Sequence, residues 1–170
     1  MRFAGAHRRL FLPAQILAIL CIVFPVALQA QTYGTDAHNV TVQVLPITLA
    51  AVSQGTVLLN VTSGNAVAGE DRMTVTDRST RLLWGTNASA RKITASSSLA
   101  SPRFTVLLLA LDPTRGSAGP EFALSAVPRD LLLGVGRSSG GCTLQYTAVA
   151  LASQGTGTET HVVTFTVQAQ

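Results

Sequence analysis

Ser138 is the middle residue of G-R-S-S-G at residues 136–140, the spacing of a serine-hydrolase elbow. That chemistry requires a strand-to-helix turn that lifts the hydroxyl beside a histidine and an oxyanion hole. Here Gly141 and an alternating run follow, so no helix starts at the motif. After residue 30 the only histidine bases are His38 and His161, both in or beside strand patterns. The motif reads as a glycine-rich hairpin loop, and no catalytic residue is assigned. Gly134, Gly136 and Gly140 also touch the pattern of a dinucleotide loop. That loop works only between a strand and a helix of a βαβ unit, and the chain has no such context, so no cofactor is assigned.

Glu70, Asp71 and Asp77 flank a short strand, and Asp36 stands two residues before His38. Calcium takes about six to eight oxygen ligands from closely spaced carboxylates, and this set is too sparse. These residues read as solvated loop charges, with no metal expected. Trp84 is the single tryptophan and ends an alternating run, which suits a core or strand-end position better than a sugar platform. Asn39, Asn60 and Asn87 begin Asn-x-Ser/Thr triplets, which arise readily in a chain this rich in Thr and Ser.

The elements that carry these residues alternate with period two. Val40, Val42 and Val44 share one face and Thr41 and Gln43 the other, the pattern of a half-buried strand. Residues 56–61 read as a second strand, with further runs at 73–75, 80–84, 92–96, 104–110 and 143–152. The last run, 160–168, sets His161, Val163, Phe165 and Val167 against Val162, Thr164 and Thr166. Turn-rich clusters at 112–116, 138–141 and 153–157 separate them. One helical turn is expected at 129–133, after Pro128. Short strands at this spacing predict an all-β chain, a single Ig-like or adhesin-like antiparallel β-sandwich.

An outer-membrane barrel would show similar alternation but carries aromatic girdles at both interfaces. After residue 30 the aromatics are Tyr33, Trp84, Phe104, Phe122, Tyr146 and Phe165, too few for two girdles.

Arg2, Arg8 and Arg9 precede an uncharged stretch from residue 10 to 30 that contains an apolar block at 16–28. This is the layout of a secretory signal peptide. Cleavage is expected between Ala30 and Gln31, giving a signal at 1–30 and one sandwich domain at 31–170. Pro13, Gln15 and Pro25 interrupt the run that a retained anchor would need. Cleavage removes Cys21, so Cys142 is left without an internal disulfide partner. The formal charge of the whole chain, +4, falls to about +1 once the three arginines are removed. The remaining bases are scattered, which argues against a nucleic-acid partner, and no membrane contact is expected after cleavage.

The order of features resembles a group of small uncharacterised secreted bacterial β-sandwich proteins. The resemblance runs through Val40-Thr41-Val42, the short leucine-containing segment 47–52, residues 77–87 ending in Thr86-Asn87, Lys92-Ile93-Thr94, and the V-T-F-T ending at 163–166. It implies an exported sandwich and supplies no catalytic residues. The expected function is therefore a non-enzymatic structural or adhesive component of the periplasm, cell surface or extracellular space. Its partners would be other protein chains, met through edge strands at 160–168 and 31–44. A fibre or pilus subunit that exchanges strands is the sharper version, and a small secreted hydrolase assembled from distant loops the alternative.

Overall fold

The computed structural model describes residues 38–170, and residues 43–170 form one compact unit of two antiparallel sheets. The strands are β1 (Thr48–Val52), β2 (Arg72–Thr86), β3 (Arg91–Ser97), β4 (Thr105–Leu111), β5 (Ser117–Ala118), β6 (Phe122–Ala123), β7 (Arg129–Val135), β8 (Ser138–Leu151) and β9 (Val163–Ala169). One sheet has the order β1-β2-β8-β4-β6 and the other β5-β7-β3-β9. The all-β, two-sheet reading of the sequence therefore holds. Ala30, Gln31 and the whole signal reading lie outside the described residues, as do Tyr33 and Asp36.

The core follows from the alternation. Leu82 and Trp84 of β2, Leu108 of β4, and Cys142 and Leu144 of β8 point from the five-stranded sheet. They meet Ile93 of β3 and Leu131, Leu132 and Val135 of β7. Each such leucine contributes about 2–3 kcal/mol by leaving water.

Four expectations change. Residues 73–75 and 80–84 are one strand, bent at a register shift between Asp77 and Thr80. Ser79 N–H donates to Asp77 Oδ1 at 3.0 Å, a local bond that holds the extra residue of the bulge. The helical turn predicted at 129–133 is strand β7. A register irregularity opposite Ile93 and Thr94 lets the consecutive Leu131 and Leu132 both bury, a pattern that mimics helical spacing. Residues 56–61 are extended but join no sheet. Residues 40–44 likewise form no strand, and Val40, Val42 and Val44 are exposed. In their place the edge strand of the larger sheet is β1, which pairs with residues 82–86 of β2.

Candidate functional site

Residues 54–62 form a strap across one side of the sandwich. Their odd members Val57, Leu59 and Val61 turn inward and are partly buried, whereas Leu58 is 83% exposed. Val57 and Leu59 pack against the core. Ser53 pins the near end, its N–H donating to Arg81 O at 2.9 Å and its Oγ accepting from Arg81 N–H at 2.9 Å. Asn65 pins the far end, where its Nδ2 donates to Thr74 O at 3.3 Å. Between these pins no backbone group of residues 55–61 is hydrogen-bonded among the described residues.

Beneath the strap lies a cleft of about 970 Å³. Its floor is the inner face of the larger sheet, with Met73, Val106, Tyr146, Ala148 and Ala150, and Phe165 of β9 closes one side. Along β8 the inward residues shrink from Leu144 and Tyr146 to Ala148 and Ala150, which keeps the cleft open. Thr80 also lines it, and its Oγ1, fully buried at the β2 bulge, has no hydrogen-bond partner among the described residues. Burial and the nearby Asp77 carboxylate push the Tyr146 hydroxyl up to about 12.

The rim of the cleft carries the polar chemistry. Ser97 Oγ lies 2.9 Å from His161 Nδ1, and His161 Nε2 lies 3.0 Å from Glu159 Oε1. Glu159 Oε2 accepts from Arg103 N–H at 2.8 Å. Partial burial alone would raise the Glu159 carboxyl. Hydrogen bonds from the Arg103 and Phe104 backbone and from His161 outweigh it and hold the group below its ordinary value. Gln154 fastens the same loop, its Nε2 donating to Arg103 O at 2.7 Å.

A serine, a histidine and a carboxylate in hydrogen-bonded series can activate a nucleophile when the hydroxyl faces substrate. Ser97 is only 6% exposed, does not line the cleft, and its Oγ already accepts from Leu99 N–H at 3.2 Å. The series therefore fastens the loop before β9 to the end of β3 and to Arg103. Sequence reading did not find it, because Ser97 stands 64 residues from His161. The only local signal was Glu159 and His161 two apart on one face of an extended segment.

The residues singled out in the sequence fall elsewhere. Ser138 begins β8, pairs with Thr86, and donates from Oγ to Gly136 O at 3.2 Å, so a strand follows the motif and not an elbow helix. Asp71 accepts from Ser153 N–H and Oγ at 2.8 and 2.9 Å, which docks the turn after β8. Asp77 is held by Ser79 at the bulge, and His38 is exposed. Among the described residues no three His, Cys, Asp or Glu side chains converge in a metal-binding group. Trp84 is a core residue, 4% exposed, stacked over Gly140.

The free edges complete the geometry. β1 pairs with β2 on one side only, and β9 with β3 on one side only. Neither strand contains a charged residue or a proline. No protein family, curated protein or solved structure matches the chain.

Proposed function

We propose that the protein is an exported, non-enzymatic β-sandwich of the Ig-like or adhesin-like kind, a structural or adhesive component of the cell surface or extracellular space that joins other chains through its sheet edges. The observation that carries this reading is the pair of edge strands, each paired on one side only and free of charge and proline. Natural sheets guard an edge with lysine, proline, a bulge or a cover, because its unpaired N–H and C=O groups template another strand. β1 and β9 have no charge or proline, and each offers a run of backbone groups to an added strand. The uncharged strands β1 and β9 fit a partner met through backbone hydrogen bonds and apolar side chains, not through charge.

Sedimentation velocity across a concentration series tests this, with Ala51→Lys on β1 and Thr166→Lys on β9 as edge-blocking variants. The wild type should associate or bind cell-surface material, and the lysine variants should do so less. A wild type that stays monomeric throughout and binds no cell-surface material overturns the reading.

A further inference from the structure

We propose that the cleft under the strap is a binding site for one neutral single-chain lipid, an apolar chain ending in a hydroxyl or carbonyl group, with that group bonded to Thr80. The site is built from inward-facing side chains and not from a strand edge, so the inference goes beyond the edge-pairing reading and does not depend on it.

The cleft has the size and shape for such a molecule. Its volume of about 970 Å³ lies at the upper end of the roughly 300–1,000 Å³ that small-molecule sites occupy. It is also long. In the β2–β8 ladder Met73 stands opposite Ala150 and Thr80 opposite Leu144. The run of β8 from residue 144 to 150 spans about 20 Å, so Met73 lines one end of a slot and Thr80 the other. Ala148 and Ala150 keep the floor of the slot low, and Val57 and Leu59 of the strap roof it while only partly buried.

The lining fixes the class of occupant. Among the described residues no Lys, Arg or Asp lines the cleft, and Glu159 and His161 at the rim are bonded to each other at 3.0 Å. An apolar chain therefore meets Met73, Val106, Ala148 and Phe165 without desolvating an ion. At the far end one inward-facing polar atom is unmet. Thr80 is 2% exposed, and its Oγ1 has no hydrogen-bond partner among the described residues. A buried hydroxyl left in that state is destabilising, and a ligand hydroxyl or carbonyl relieves it. Tyr146 lies between the two ends, where burial and the Asp77 carboxylate keep its hydroxyl protonated. The same carboxylate disfavours an anionic head group, which selects an alcohol or ester over an ionised fatty acid. Arg103 is no free counter-ion either, because its guanidinium donates to Gln154 O and lies 5.0 Å from the Phe104 ring centre.

A peptide fits this floor less well than a lipid. The backbone of β8 is already paired with β2 on one side and with β4 on the other, so the floor offers side chains and no ladder. Peptide N–H and C=O groups laid over Ala148 and Ala150 would lose water without a replacement. A hydrocarbon chain carries no such groups. The strap supplies the way in. Residues 55–61 have no backbone hydrogen bond among the described residues, and the segment is fastened at Ser53 and Asn65 beyond its two ends. Few bonds break when it lifts, so it opens more readily than the sheets it covers.

The fluorescence of N-phenylnaphthylamine, a neutral apolar dye that brightens on leaving water, tests the site on the purified chain diluted until it sediments as a monomer. The dye should bind saturably, one per chain, and be displaced by dodecanol. Ionised dodecanoate should compete about 10-fold less well or worse. Ala148→Leu fills the slot without adding a polar atom; it should keep the circular dichroism spectrum and weaken dye binding about 10-fold or more. Thr80→Val removes only the unmet hydroxyl. That variant should fold at least as stably, bind the dye as the wild type does, and bind dodecanol about 3- to 10-fold more weakly. Three results overturn the proposal: no saturable dye binding, binding that survives Ala148→Leu in the folded protein, or dodecanol affinity unchanged in Thr80→Val. Dodecanoate competing better than dodecanol overturns it as well, and so does displacement of the dye by an uncharged Val/Thr hexapeptide.

Discussion

Asn87 and Ile47 exchange two hydrogen bonds: Ile47 N–H donates to Asn87 Oδ1 at 2.7 Å, and Asn87 N–H donates to Ile47 O at 3.2 Å. With the bond from Asn87 Nδ2 to Leu45 O, a single side chain at the β2–β3 turn fixes where the chain joins the first strand. Asn87→Ala removes two side-chain bonds at an exposed site. It should cost about 1–2 kcal/mol, read as a lower midpoint in denaturant, and speed amide exchange at Ile47.

Cys142 should be chemically silent in the folded protein. Burial is the main influence on the thiol, and a weaker Leu82 backbone bond and the Arg81 charge do not offset it, so it is pushed up to about 11. In the unfolded chain the thiol ionises from about 9.0, so the folded state holds its proton through that interval and stability falls as pH rises above 9.0. A thiol reagent at neutral pH should label Cys142 only at the rate of unfolding. The Cys142→Ser variant should flatten the alkaline loss.

Glu159 sets the opposite dependence. Its folded value lies below the ordinary 4.5, so its contribution is complete above that pH and is lost as pH falls through the lower folded value. The loop before β9 should then release Arg103. The effect is about 1 kcal/mol, at the low end because the carboxylate keeps contact with solvent. Thermal midpoints measured from pH 6 to 3 should show this loss in the wild type and a smaller one in Glu159→Gln.

Gly140 is required by Trp84. A Cβ at Gly140 would stand 2.6 Å from Trp84 Cζ2 and 2.8 Å from Cε2, inside contact distance of a ring packed in the core. Gly140→Ala should destabilise by about 1–3 kcal/mol and shift tryptophan emission. Ser138→Ala, in the same motif but partly exposed, should change stability by less than about 1 kcal/mol.

Much of the fold was legible because its strands are half-buried. Val163, Phe165 and Val167 alternate with Thr164 and Thr166, and that is β9, with its start three residues later than expected. Three features broke the rule. β1 is exposed at every residue and reads as T-L-A-A-V, with no alternation to detect. Leu131 and Leu132 bury side by side at a bulge, which imitates a helical face. Residues 56–61 alternate as a strand does, yet turn Val57 and Leu59 onto the core without joining a ladder. The cleft was invisible because Val106, Tyr146, Ala148 and Phe165 converge only once two sheets form. The Ser97–His161–Glu159 series was hidden for the same reason, while the G-x-S-x-G match was a property of a strand start.

Amide hydrogen exchange at low and high protein concentration measures edge pairing most directly. In β1 and β9, the amides without a partner in the neighbouring strand should exchange freely in dilute protein and become protected as concentration rises. Protection confined to the sandwich interior at every concentration, with β1 and β9 unchanged, would contradict a protein that works by lending its strand edges to other chains.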